Sequence, residues 1–355
     1  MKNKVKALRA KRAEKKLAKQ ENADRMPRIT NETVAEHREE VLSGARKYIY
    51  PLQHSKHKVV IITSTLFTLA VLGFFTYCVV SLYKFQSTSS FMYRVTQVIP
   101  FPVARSGNSF ISYESYLFEL RRYTHYYEVQ LKRDFTSDEG NKQQLDDYKK
   151  KSLEKVINDA YVKKIAKENN ISVAETEIDT VIAQGKEQNR LGGSTKSFED
   201  SIKEYYGWTE NDFKRRLRGL LLEEKVNAFL DTESKTRLAA VVSSLEAGGA
   251  FADVAKQYSE EDFTKAQGGE FGVIELTNTA LQLQTFNTLF KQKPGEVSKP
   301  YIISYDTGYA YEIIQTLEND GVKAKGAHII IKIKDINEFL NDKKELQQTK
   351  RYIKQ

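Results

Sequence analysis

The chain is poor in the residues that most enzymes rely on. Its 355 residues include one cysteine, Cys78, which excludes an internal disulfide framework and any multi-cysteine metal site. Of its five histidines, three (His37, His54 and His57) lie in the first 58 residues, leaving only His125 and His328 beyond them. A histidine-rich metal centre is therefore not expected, and a serine or cysteine nucleophile served by a histidine base finds no credible set of partners. No His-x-x-x-His, no Gly-x-x-x-x-Gly-Lys-Ser/Thr loop and no Gly-x-Gly-x-x-Gly turn occurs, so metal-protease, phosphate-loop and dinucleotide chemistry lack their signatures.

Excess charge is also missing from most of the chain. The net charge of +9 suggests a nucleic-acid binder, but residues 1–58 hold 16 Lys and Arg against 7 Asp and Glu. The other 297 residues hold 40 of each sign. A basic globular face is excluded, and no nucleic-acid partner is expected. The tail run KNKVKALRAKRAEKKLAKQ reads as a solvated segment that fixes topology, with anionic-lipid or nucleic-acid contact as the other reading.

What is present begins with Val59–Tyr83, 25 residues without a charge. As a helix they reach about 37 Å, enough for a hydrocarbon core of about 30 Å with some tilt. Lys56 and Lys58 precede the run, Lys84 follows it, and Tyr77 and Tyr83 fall near its far end. The run and its leader are too long for a cleaved signal peptide, and Phe75-Thr76-Tyr77 before Cys78 does not suit a lipidation site. Residues 44–58 carry four basic groups and no acid, which predicts a cytoplasmic N-terminus, lipid contact through Val59 to Tyr83, and C-terminal domains outside the cytoplasm.

Residues 84–103 read as a short polar stalk ending at Pro100 and Pro102. Residues 104–235 read as a helical unit with one small strand. Gly107-Asn108 marks a turn, and Ser112 caps a helix bearing Tyr113, Tyr116, Leu117 and Leu120. A second helix, from about Lys142 to Glu168, carries the stripe Leu153, Val156, Ile157, Ala160, Tyr161 and Ile165. Ser172 and Glu175 predict a capping box, Gly192-Gly193 a loop, and Ser197 and Thr209 two further helix starts. After residue 235 the texture becomes α+β. FADVAKQYS is a short helix, QGGEFGVIEL a glycine turn entering a strand, and YIISY and YAYEIIQTL a hairpin about Asp306-Thr307-Gly308.

Phe251-Ala252-Asp253-Val254-Ala255, Tyr258-Ser259, Gly268-Gly269-Glu270-Phe271-Gly272, Pro294-Gly295-Glu296-Val297-Ser298-Lys299-Pro300 and Gly308-Tyr309 follow one another over 59 residues. In this order and spacing they resemble the parvulin family of peptidyl-prolyl isomerases. The ISYESY, AKENNISVAETEI and YYGWTENDFKRRLRGLLL segments resemble the N-terminal chaperone domain of SurA- and PrsA-type foldases. The resemblance covers about residues 103–335. With the apolar run it gives an α+β protein with a single transmembrane helix, and the resemblance implies an all-helical SurA-like domain and a parvulin-like (FKBP-like) antiparallel sheet with surrounding helices. The divisions are then 1–58 tail, 59–83 membrane helix, 84–103 stalk, 104–235 chaperone domain, 236–335 isomerase domain and 336–355 helical tail.

The resemblance also implies a cofactor-free and metal-free reaction, rotation about Xaa-Pro bonds in exported polypeptides. Phe286 would supply the aromatic wall for the proline ring, although its spacing to Gly295 is about one residue short. Leu281 or Leu283 would form another wall beside Phe271, and Glu261 or Asp262 would be the polar residue before the double glycine. Parvulins usually pair two histidines on central strands. Here Gly308-Tyr309-Ala310 replaces Gly-Tyr-His, and no strand precedes the helix at 235. Lys323-Ala-Lys-Gly-Ala-His328-Ile-Ile-Ile-Lys332 reads as that missing first strand, with His328 as its catalytic histidine. Either the domain is circularly permuted, with 326–334 completing its sheet, or His328 opens a second repeat. Three functions follow: a working isomerase and chaperone, a non-catalytic peptide-binding relative, or a structural partner in a membrane complex.

Overall fold

The computed structural model describes residues 11–19, 30–49, 51–135, 137–187, 190, 194–306 and 308–354. The basic run before residue 11, the Gly192-Gly193 loop and Thr307 of the hairpin turn lie outside the described residues. Two compact units divide the chain, Met1–Cys78 and Val79–Gln355.

The first unit holds α1 (residues 11–19), α2 (Asn31–Ile49) and α3 (Pro51–Val79). The apolar helical stretch His57–Lys84 spans 28 residues, long and apolar enough to cross a membrane. Its hydroxyls turn back onto the helix. Thr63 donates to the Val59 carbonyl at 2.9 Å, Thr68 to Ser64 at 2.9 Å and Thr76 to Leu72 at 2.8 Å. Internal satisfaction of this kind is what an apolar surrounding demands of a polar side chain.

The second unit starts with a correction. Residues 84–103 are not a free stalk. Ser89 caps α4 (Ser90–Val98) by accepting from the Met92 amide at 3.3 Å. Met92 and Thr96, one turn apart, are buried, as are Phe101 and Val103. A polar Thr96 on the buried face and exposed Phe91 and Val98 hide this spacing. A hairpin follows, β1 (Pro102–Ser106) and β2 (Ser109–Ser112), turned at Gly107-Asn108.

α5 (Tyr113–Val129) is capped by Ser112 and buries Tyr113, Tyr116, Leu117 and Leu120. α6 (Glu139–Glu168) buries the predicted stripe except Ala160, which is half-buried. α7 (Glu175–Glu187) starts later than the Ser172 box requires. Glu177 accepts from the Ala174 amide at 2.9 Å, while the Ser172 carbonyl takes a bond from Lys225 instead. α8 (Thr195–Tyr206) is capped by Ser194, and α9 (Glu210–Leu230) opens with a full Thr209–Asp212 capping box.

Asp231 joins this helical part to the sheet part. Only 1% exposed, it caps α10 (Thr232–Glu246) through the Ser234 amide and also accepts from the Lys334 amide at 2.9 Å. The predicted boundary at 235/236 therefore falls inside a helix. Beyond it come α11 (Phe251–Tyr258), α12 (Asp262–Lys265), β3 (Glu270–Glu275), α13 (Leu283–Lys291), β4 (Tyr301–Tyr305), β5 (Gly308–Asn319) and β6 (Lys323–Ile333).

The strands form an antiparallel sheet in the order β3-β6-β5-β4. Residues alternate between its faces. Tyr311, Ile313, Ala327, Ile329, Ile331 and Ile333 pack with Val241 of α10 and with Phe251, Val254 and Ala255 of α11. The opposite face carries Ala310, Glu312 and Ile314 of β5 with His328 and Ile330 of β6, paired as Glu312 with Ile330 and Ile314 with His328.

The C-terminal segment read as a helical tail has two parts. α14 (Ile336–Leu346) is followed by β7 (Lys350–Arg351), which pairs with β1 through Ala104–Arg351 and Arg105–Lys350. The single strand expected in the helical part is thus a three-stranded sheet, because β1 has an open edge that β7 fills. Leu340 and Ile353 are buried, Asn158 bonds Asn337 at 2.8 Å, and Tyr161 meets Thr349 at 2.7 Å. Leu340→Ala should therefore lower the unfolding free energy by about 2–5 kcal/mol. Exposed Val98→Ala should change it by less than about 0.5 kcal/mol. Denaturant titration followed by circular dichroism checks both; equal midpoints would refute the docking of α14.

Candidate active site

The sheet face bearing His328 and Glu312 encloses a compact ionic cluster. Nδ1 of His328 lies 2.9 Å from Glu312 and Nε2 lies 2.6 Å from Glu261, the residue preceding α12. Thr264 donates to Glu261 at 2.5 Å. Glu312 also accepts from Thr285 of α13 at 2.5 Å and from Tyr301 of β4 at 2.7 Å. Glu312 is 1% exposed, a buried carboxyl group surrounded by hydrogen-bond partners from three other elements.

Burial alone would push the His328 ring down. Hydrogen bonds and charge from Glu261 and Glu312 outweigh it and lift the ring to about 9. The bond from His328 in turn holds Glu261 below the usual carboxylate range, against its own desolvation and with help from Thr264. Burial, then the Glu312 charge, raises the Tyr301 phenol, which stays a donor. The raised ring is held as a donor through both nitrogens, to Glu261 on one side and Glu312 on the other. Among the described residues no group of three or more His, Cys, Asp and Glu is arranged to hold a metal ion.

Above this floor lies a cavity of about 290 Å³ walled by Phe271, Ile274, Leu281, Ile303 and Ile330, with Phe263 and Tyr305 also lining it. The Phe271 ring stands 4.9 Å from the imidazole, centroid to centroid. Two glycines make this approach possible. A Cβ on Gly326 would come within 2.5 Å of the Phe271 ring, and one on Gly269 within 2.2 Å of the His328 carbonyl. Gly269 also adopts φ +85°, and its carbonyl accepts the His328 amide at 2.8 Å. The double glycine thus lays its loop directly on β6.

The structure brings His328, Glu261, Phe271 and Leu281 together around one cavity. Asp262, Leu283 and Phe286 are not among its lining residues. Asp262 is exposed at the start of α12, because the chain turns into the helix after Glu261. Phe286 is buried against Phe290, at 4.6 Å between centroids. On α13 it is Thr285 and Leu289, four residues apart, that meet the sheet: Thr285 bonds Glu312 and Leu289 packs with Ile314. Phe286 and Phe290 occupy the next stripe, so the one-residue spacing discrepancy decides which side chain faces the cavity. Leu283 is half-buried on the first turn of α13.

Sequence reading missed Glu312, Thr285, Thr264 and Tyr301. Glu312 left a signal: an acid at a core-facing position of YAYEIIQTL requires a buried partner. Ala310, standing where the resemblance leads one to expect histidine, is fully buried on the same face as Glu312.

Comparison with known proteins finds two matching families. Residues 52–227 match the SurA-like N-terminal domain and residues 224–318 the PPIC-type PPIase domain. A curated relative, Foldase protein PrsA 1 of Lactobacillus johnsonii, is 25% identical over 158 residues, covering 38% of this chain. The match spans about half, 52%, of that protein's length.

The cluster predicts a pH dependence. The raised His328 ring contributes stability that is whole below its ordinary pKa of about 6.5 and fades as pH rises through about 9. The lowered Glu261 contributes above the ordinary carboxylate pKa and loses that contribution as pH falls through its depressed value. In an NMR titration the His328 ring should show a midpoint near 9, and Glu312→Gln should move it down. A midpoint near 6.5 in the unaltered chain would refute the ionic cluster.

Proposed function

We propose that this chain, which joins a SurA-like N-terminal domain to a PPIC-type PPIase domain, is a membrane-anchored foldase that isomerises Xaa-Pro bonds in exported polypeptides. The observation that carries the reading is the Phe271–Leu281–Ile303 wall over the Glu261–His328–Glu312 floor. Prolyl rotation needs such a site. The barrier of roughly 18–20 kcal/mol comes from amide resonance, so a pocket that holds the twisted amide better than either planar form accelerates it without a nucleophile. Phe271, Leu281, Ile303 and Ile330 would take the proline ring, and the charged floor would orient the neighbouring peptide. Neither a cofactor nor a metal is required.

The isomerase domain in this reading runs from α10 through β6, Thr232 to Ile333, with β6 as the equivalent of the family's first strand. The PPIC-type match ends at residue 318, whereas β6 begins at Lys323 and lies between β3 and β5. A central strand supplied after the matched region supports circular permutation over a truncated second repeat. The helical domain would act as chaperone, through a cleft of about 460 Å³ that includes Ile111, Phe118, Val156 and Leu222. Val59 to Tyr83 would anchor the chain, and the basic residues of 44–58 favour a cytoplasmic N-terminus with Lys84 to Gln355 on the other side.

A second reading, a peptide-binding module without catalysis, is favoured by Ala310 standing where the resemblance leads one to expect histidine and by Phe286 packing on Phe290 outside the cavity lining. Detergent-solubilised full chain should accelerate cis–trans exchange of a proline peptide. Phe271→Ala should cut kcat/KM by about tenfold or more, the usual cost of losing an apolar wall. Suppressed aggregation of an unfolded client without acceleration would replace the isomerase reading with the binding one.

A further inference from the structure

Arg190 belongs to the connection between α7 and α8, in the helical part, yet its guanidinium reaches the sheet part. Nη1 donates to the Leu281 carbonyl and Nη2 to the Asn278 carbonyl at 3.3 Å. Its central carbon lies 5.4 Å from the centre of the Phe286 ring. The segment it grips joins β3 to α13 and forms one wall of the cavity through Leu281 and Gln282.

That segment is shaped by local bonds. Asn278 folds its side chain back to accept the Ala280 amide at 2.9 Å and the Leu281 amide at 2.8 Å. Gln282 donates to the Ser304 carbonyl at 2.5 Å, across the cavity mouth. The Asn278 turn orients its own carbonyl and that of Leu281 toward one planar fork. A guanidinium suits this arrangement because its donors diverge in a plane, while its face rests on an aromatic ring. A lysine ammonium offers a point charge and cannot reproduce both contacts.

We propose that Arg190 is a positioning residue for the isomerase cavity: a latch from the helical domain that holds Leu281 in place, so that the proline-binding wall exists before substrate arrives. The inference rests on the isomerase reading above. Arg190 lies outside the cavity lining and acts through the 278–282 turn. Its loss should weaken substrate binding and spare the rotation step, because an unfixed wall must be ordered at the expense of affinity.

The test compares the full chain in detergent with Arg190→Ala and Arg190→Lys. It measures KM and kcat on a proline-containing peptide and amide hydrogen exchange across 276–283. Arg190→Ala should raise KM by about tenfold, the scale of one or two charge-assisted hydrogen bonds, with kcat within about twofold. The Ala280 and Leu281 amides should exchange faster, and Arg190→Lys should recover only part of either effect. Unchanged KM with unchanged exchange overturns the proposal. So does an equal fall in kcat and thermal midpoint at constant KM, which marks general destabilisation. If no form of the chain isomerises the peptide, the foldase reading fails separately. Exchange at Ala280 and Leu281, with the peptide's Kd from a binding titration, then decides the latch.

Discussion

The imidazolium of His328, held between Glu261 and Glu312, is the interaction on which the architecture around the cavity depends. Burying three ionisable groups together costs several kcal/mol for each ion, recovered only if every lone pair and proton is satisfied. That condition recruits Thr264, Thr285 and Tyr301 and so ties together α12, α13, β4, β5 and β6. It also requires β6 to lie in the middle of the sheet, where the ring reaches carboxylates on both sides. Gly269 and Gly326 follow from the same constraint, since a side chain at either would separate the loop or the Phe271 ring from the strand.

The strand that carries this histidine comes late in the chain, and the segment after it returns to the helical part. β6 completes the sheet, Asp231 ties its end to the start of α10, and β7 closes the β1 edge. Each half is thus finished by residues distant from it in sequence. Arg190 adds a contact in the opposite direction, from the helical part to the cavity wall. The two parts are joined at Asp231, at the cavity and through α14, which is more than a tether between independent modules.

Much of this was legible in the residues. The α6 stripe, the Ser112 cap, the Thr209 start and the hairpin at Gly107-Asn108 are local features whose physics is complete within a few residues. His328 was legible because its strand carried a recognisable motif in an unusual place. Features that failed were those decided by phase or by distant partners. Ser172 offered a capping box, but α7 starts two to three residues later, with Glu177 as the group that satisfies the free amide. Residues 84–103 looked like a stalk because only Met92 and Thr96 mark the buried face of α4. Phe286 was the plausible aromatic wall, but one residue of helical phase turns it toward Phe290 and presents Thr285.

By itself the sequence determined the apolar run of membrane-crossing length, the confinement of excess charge to 58 residues, and the helix starts at Ser112 and Thr209. These follow from composition and short-range periodicity, which the chain carries before it folds. Only the tertiary structure decided that Glu261 and not Asp262 meets His328, that Glu312 is its second partner, and that Arg190 grips the wall of the cavity. Those choices depend on strand register and on which side chain of a helix turn faces the sheet. Both are set by the packing of segments separated by 16 to 91 residues along the chain.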